Sequence, residues 1–273
     1  MITTMIISSY VPKIGGMGLG DFLRGSLGVY QMCHRYNITA EIDFSQHDIG
    51  QYLKPSHKFD ISNFSMIDAR NVGDYSTNAL RNLIARNYRF SYLARNLNNI
   101  QVYTNVFPKF PISHEIKQLV RQALIPTDQL QDILPIYEYE YEVIHIRSGD
   151  LLAFNKGYDH TVSLSKKDLL KAITDKIKNI VSITTCPVLI LSDSMELKTL
   201  LTKKCNTVMT ETIPSHVSHE NSDVVDNLMD YFTLVKARKI HQFSIHAWGS
   251  GFSDTVNWIF DVPIEKYPIV HPS

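Results

Sequence analysis

Cysteine is scarce: Cys33, Cys186 and Cys205 are the three in 273 residues, and no Cys-x-x-Cys pair occurs. That spacing supports neither a disulfide framework nor a zinc knuckle, and it predicts a reducing compartment. No run of about 18 apolar residues is present. The apolar stretch at Met5-Ile-Ile lacks a basic flank, so neither a membrane span nor a secretory signal is expected. A cytoplasmic protein is the expectation, and the sequons at Asn37-Ile-Thr and Asn63-Phe-Ser read as chance tripeptides. Charge of one sign is missing too. The 27 Lys+Arg balance 27 Asp+Glu, so no global field draws the chain onto nucleic acid or an anionic membrane. Gly-x-Gly-x-x-Gly and Gly-Lys-Ser/Thr are both absent, which excludes the dinucleotide fingerprint and the P-loop. Asp-x-Asp is absent as well; many metal-dependent nucleotide-sugar enzymes use that carboxylate pair to hold a divalent ion on the diphosphate.

What is present suffices for a large folded core: 44% hydrophobic and 20% charged residues in a chain about twice the usual domain length. A strand over 5–10, a glycine-rich loop, a helix capped by Asp21 and a period-2 strand at Ile38–Phe44 give β-loop-α-β. Residues 50–76 read mostly as loop, 78–97 as a helix whose Arg81, Arg86, Arg89 and Arg95 form either a solvated face or a contact to an anionic acceptor or lipid head group. A strand over 102–107 and short helices over 113–124 and 128–134 lead to Pro135. Beyond it, strands at 139–147, 187–192, 207–211 and 240–245 alternate with helices at 165–182, 195–204, 222–238 and 252–260. This rhythm predicts an α/β chain of two Rossmann-like domains with mostly parallel sheets, residues 1–135 and 136–273, with ligands at strand C-termini.

Three places can carry chemistry. The first is the loop Gly15–Asp21, where Gly18, Gly20 and the helix N-terminus can receive a phosphate or sugar hydroxyl, with Asp21 and Arg24 beside it; a tight turn explains the glycines equally well. The second is Ile144-His145-Ile146-Arg147-Ser148-Gly149-Asp150. His145 and Arg147 share one face of a strand, and Arg147 sits at its C-terminal end. There it can grip a diphosphate and stabilise the charge on a departing nucleotide, a contribution of roughly 3–4 kcal/mol per donor. The alternative is a structural Arg147–Asp150 ion pair. The third joins Leu189-Ile-Leu-Ser-Asp193 to the stretch from Asp226 to Asp254. Asp193 suits a base, a ribose, a sugar hydroxyl or a helix cap, and the turn Trp248-Gly-Ser250-Gly251-Phe252-Ser253 offers N–H and hydroxyl donors to phosphates. His216, His219 and Glu220 read as a solvated loop rather than metal ligands.

Together these residues resemble the fucosyltransferase superfamily, which includes α1,2-, α1,6- and protein O-fucosyltransferases. Gly18-Leu-Gly-Asp21-Phe-Leu-Arg24 and the helix after it are similar to its N-terminal glycine-Asn/Asp loop, with Asp21 where many members have Asn. His145-Ile-Arg147-Ser-Gly-Asp150 resembles its His-x-Arg-x-Gly-Asp motif, Leu191-Ser-Asp193-Ser its second motif, and Asp230-Tyr-Phe-Thr-Leu234 with Ser250-Gly-Phe252-Ser253 its third. The resemblance implies a GT-B arrangement, two domains facing across a cleft with the donor mostly on the C-terminal one, and inversion without a required metal. It implies that Arg147 contacts the β-phosphate and Asp193 meets the nucleotide.

The resulting expectation is an inverting, metal-independent glycosyltransferase that moves fucose from GDP-fucose to a glycan hydroxyl, in cell-surface polysaccharide biosynthesis. No cofactor is expected, since the GDP-sugar is a substrate. Partners would be the GDP-sugar donor and a glycan acceptor, with no nucleic acid and at most peripheral membrane contact. His145 would orient Arg147 or touch the nucleotide, Asp193 and Asp230 would position base or ribose, and Ser250, Gly251, Phe252 and Ser253 would hold phosphates. Asp150 is the first candidate base, ahead of Asp159, His160 and Asp21. A different Rossmann-like nucleotide or phosphosugar enzyme, or a catalytically silent glycan- or nucleotide-binding module, are the alternatives.

Overall fold

The computed structural model describes residues 5–11, 18–54, 64–70, 78–84, 99–147, 166–214, 224–245 and 249–269. The chain divides into two compact units, with the change between Ile133 and Leu134. Each is a parallel α/β layer.

The first unit runs β1 (Met5–Ser9), α1 (Leu19–Arg35), β2 (Thr39–Asp43), a 3-10 turn (Asp48–Gln51), β3 (Ser65–Asp68), a helical stretch over 78–84, β4 (Asn99–Tyr103), α2 (His114–Ala123) and α3 (Asp128–Ile133). Its sheet has the order β2-β1-β4-β3, every pair parallel. Ile6, Ile100, Val102 and Ile67 from the strands pack with Val29, Met32 and Cys33 of α1 and with Leu80 and Ile84. The apolar stripe of α1 is therefore buried as its spacing predicts. Its cap differs from expectation: Gly18, in extended backbone, takes the N-cap position, and Asp21 lies inside the first turn. There its carboxylate pairs with Arg24 at 3.1 Å instead of holding backbone N–H groups.

Two strands escape the periodicity. β3 has four residues of which only Ile67 is buried, too few for alternation to register. β4 lies at 99–103 rather than 102–107, because its register follows β1, Met5 opposite Asn99 and Ser8 opposite Val102.

The second unit runs β5 (Glu142–Arg147), α4 (Lys166–Ile183), β6 (Val188–Ser192), α5 (Met195–Cys205), β7 (Val208–Met209), α6 (Val224–Val235), β8 (Lys239–Ser244), α7 (Gly251–Phe260) and β9 (Ile264–Pro268). The strands are parallel in the order β7-β6-β5-β8-β9. β9 was not anticipated; it is a polar edge strand that ends in proline, where a missing ladder donor is tolerated. Ile144, Ile146, Ile190 and Phe243 of the sheet bury against Ile173, Ile177 and Leu201 of the helices. Counted within the unit, the order is 3-2-1-4-5. In such doubly wound sheets the direction of winding reverses between the first and fourth strands, here β5 and β8, and the crevice for ligands opens at their carboxyl ends.

Candidate functional site

Arg147 is the last residue of β5 and is opposite Ser244, the last of β8. Topology alone therefore places its guanidinium at the switch point. Its Nη1 donates to Asp193 Oδ2 at 2.9 Å, with the two side chains 34% and 18% exposed. The pairing holds the guanidinium at the end of the sheet and leaves donors over, since the fork carries five N–H groups. Asp193 is available for this because Ser194 takes the cap of α5, its Oγ accepting from Leu197 N. The cap role weighed for Asp193 thus belongs to its neighbour.

His145, two residues back on the same face, is buried. Its Nδ1 lies 2.9 Å from Ser253 Oγ in the first turn of α7, and its ring is 5.8 Å from Phe252. Gln242 Nε2 of β8 donates to the same Ser253 Oγ at 2.7 Å, to Asp254 Oδ1 at 2.8 Å and to Ser250 O at 3.3 Å. The amide orientation follows from Asp254, whose carboxylate requires a donor. Gln242 donates to Ser253 Oγ and leaves the Ser253 proton for His145 Nδ1, the tautomer we assign. The imidazole proton then resides on Nε2. Burial drives the His145 pKa down to about 4, an effect that nearby Asp193 opposes and Arg147 reinforces. At neutral pH His145 is uncharged and acts as a donor through Nε2–H.

The turn before α7 is fastened from below. Ser244 Oγ donates to Gly249 O at 3.1 Å, and Lys266 pairs with Asp254 at 2.8 Å. Gly249 has φ +94°, and a Cβ there would approach Gln242 Oε1 to 2.3 Å, so this turn requires glycine on both counts. Ser253 is expected to hold phosphate but commits its hydroxyl to His145 and Gln242. The donors that α7 presents are instead the backbone N–H groups of its first turn, Gly251, Phe252 and Ser253, which have no intrahelical acceptor. Ser250 caps the helix through its backbone without a side-chain hydrogen bond.

Sequence reading does not single out Gln242 or Lys266, and it meets Asp254 only as the end of the third candidate stretch, with no role of its own. β8 reads Lys-Ile-His-Gln-Phe-Ser, too mixed to mark any one polar residue, and only the 1% exposure of Gln242 in the fold sets it apart.

Other candidates are placed elsewhere. Asp230, on α6, accepts from Thr212 Oγ1 at 2.5 Å, and Lys198 Nζ donates to Thr212 O at 2.6 Å and to its Oγ1 at 3.1 Å. Burial raises the Asp230 pKa to about 6, against the Thr212 hydrogen bond and the Lys198 charge, and burial lowers that of Lys198. In the first unit, Gly18 and Gly20 open α1. Arg24 of that helix donates from Nε to Asn105 O at 3.0 Å and lies 4.1 Å over the Phe107 ring, besides its pair with Asp21. Asp150, Asp159, His160, His216, His219, Glu220 and Trp248 lie outside the described residues. Among the described residues no group of three His, Cys, Asp or Glu could hold a metal ion, and no helix is long and apolar enough to cross a membrane. Cys33, Cys186 and Cys205 are free thiols.

No protein-family profile and no curated protein sequence matches the chain. Solved structures do. NodZ α-1,6-fucosyltransferase co-crystallised with GDP superposes with a TM-score of 0.58 at 12% identity, over 93% of this chain and 92% of that one. POFUT1 in complex with GDP-fucose gives 0.52 at 11%, over 97% and 98%. A variant of Arabidopsis thaliana FUT1 in complex with GDP gives 0.53 at 11%, over 97% and 70%. The fold is that of the GT-B fucosyltransferases. At such identity the likeness is one of architecture, and the GT-B expectation from the four motifs agrees with it.

Proposed function

We propose that the chain is a fucosyltransferase-like glycosyltransferase that takes its sugar from a GDP-sugar, GDP-fucose first. The observation that carries this reading is Arg147, held by Asp193 at the β5–β8 switch point beside the first turn of α7. A diphosphate there would meet the remaining guanidinium donors and a helix N-terminus, both favouring anions. In the transfer, the bond from the anomeric carbon to the β-phosphate oxygen breaks and the acceptor oxygen bonds to that carbon as its proton leaves. GDP departs with one more negative charge than it carried as an ester. Arg147 meets that growing charge, and His145 Nε2–H adds a neutral donor. With Nδ1 accepting from Ser253 and Nε2 protonated, His145 has no free lone pair to take the acceptor proton. We assign that step to Asp150, with inversion, no metal on the diphosphate, and a cell-surface glycan as acceptor.

Calorimetry with GDP, UDP, GDP-fucose and GDP-mannose tests the reading. GDP and GDP-fucose bind, UDP binds more weakly, and Arg147→Ala lowers transfer by about 100-fold while leaving the far-ultraviolet dichroism unchanged. Failure of every guanine nucleotide to bind, or full transfer by Arg147→Ala, would overturn it.

A further inference from the structure

A surface cavity of about 260 Å³ lies in the first unit, at the far end of α1 from its N-terminus. Helix α1 leaves β1 at the carboxyl end of the sheet and runs back for 17 residues, about 25 Å. The cavity therefore lies toward the opposite edge from the strand C-termini where β/α ligands sit.

Three cations line it: Arg35, Arg81 and Lys109. Among the described residues none of the three pairs with a carboxylate. Among the described residues Arg81 touches neutral groups, Asn82 Oδ1 at 2.8 Å and the Tyr36 hydroxyl at 3.2 Å. Arg35 lies 5.9 Å over the Tyr36 ring. The hydrogen bond from Arg81, then the charges of Arg81, Arg35 and Lys109, lower the Tyr36 pKa. Glu115, next to the lining residue Ile116, is held by His34 at 3.0 Å.

The cavity is built on a fixed base. Gln31 of α1 donates to Lys109 O at 2.6 Å and accepts from Lys109 N at 2.7 Å, which pins the segment carrying that lysine. Met32 and Ile116 are buried and belong to the packed part of the wall. Tyr36, 43% exposed, lines the cavity. Ser113 Oγ accepts from Ile116 N and keeps its own proton to donate; Asn78 adds a carboxamide.

We propose that this cavity binds an anionic sugar, with Arg35, Arg81 and Lys109 on its phosphate or carboxylate, the Tyr36 ring against its apolar face, and Asn78 and Ser113 on its hydroxyls. Three unneutralised cations around one concavity repel one another and are stabilised by a shared oxyanion. The volume, at the small end for ligand pockets, suits one sugar unit rather than a nucleotide. The source is either a free sugar phosphate or sugar acid, or an acidic residue of a glycan chain.

The test is calorimetry on the full chain with glucose 6-phosphate, glucuronate, glucose and inorganic phosphate. The two anionic sugars bind at least about tenfold tighter than glucose and tighter than phosphate. The double variant Arg81→Gln/Lys109→Gln loses that margin with an unchanged unfolding temperature, as expected for exposed side chains. An oligomer of glucuronate that binds tighter than the monomer identifies a glycan chain as the source; equal binding identifies the free sugar. Anionic sugars that bind no tighter than glucose, phosphate that binds as tightly as they do, or a double variant of unchanged affinity would each overturn the proposal. GDP titrations run alongside read the other unit, so the transferase reading stands or falls separately.

Discussion

At the residue scale, the decisive contacts are those that settle where protons reside. In the assigned tautomer four side chains form one relay: Asp254 accepts from Gln242, Gln242 donates to Ser253, and Ser253 donates to His145. So assigned, the chain ends with a proton on His145 Nε2. Nitrogen-15 NMR checks this. The His145 ring stays neutral, as the Nε2–H tautomer, from pH 8 down to 5, because burial holds its pKa near 4. In Ser253→Ala the low pKa persists, since burial remains, while the tautomer preference weakens as its hydrogen bond is lost. A midpoint near 6.5, or an Nδ1–H tautomer in the parent, would contradict the relay. Arg147, His145 and Asp193 were legible in the sequence because each stands at or near the end of an apolar strand, where a parallel sheet gathers its ligands. Gln242 was not, since its role depends on a partner eleven residues on that only the fold brings close.

At the scale of elements, the limiting contact of the first unit is where α1 crosses the end of β4. A Cβ on Gly25 would come within 1.8 Å of Thr104 O, a backbone atom with no freedom to retreat. Thr104 is itself tied down, its hydroxyl donating to Ala69 O at 3.0 Å. In most helix interiors Gly→Ala stabilises by roughly 0.5–1 kcal/mol. Here the sign reverses: Gly25→Ala costs about 3 kcal/mol or more, because helix or strand must move. Urea unfolding followed by far-ultraviolet dichroism measures it, and an unchanged or raised midpoint would refute the packing described. The helices were legible because their stripes are long; α1 alone presents Phe22, Leu23, Leu27, Val29 and Cys33 to the core. β3, β7 and β9 were missed or misjudged in length. They have four, two and five residues, stand at sheet edges, and owe their existence to a neighbour's open ladder more than to their own pattern.

At the scale of the whole molecule, stability against acid is a balance between two buried groups of the second unit whose slopes oppose. The folded pKa of His145 is depressed, so below about 6.5 the unfolded chain binds a proton that the native one refuses, and stability falls as pH falls. The folded pKa of Asp230 is raised to about 6, so below that value the native state binds the extra proton, and stability rises as pH falls. Between pH 6 and 5 the two cancel, and carboxylates with lowered pKa values, such as Glu142 and Glu265, have yet to contribute. Asp230→Asn removes one slope and leaves the other, since its amide oxygen still accepts from Thr212. The variant therefore loses about 1 kcal/mol relative to the parent over that pH unit. The probe is already in place: both tryptophans, Trp248 and Trp258, belong to the second unit, so their emission during urea unfolding reports on the half that contains both groups. A difference between variant and parent that stays constant from pH 6 to 5 would show that Asp230 titrates as an ordinary carboxylate, and that Thr212 and Lys198 hold it charged inside the fold.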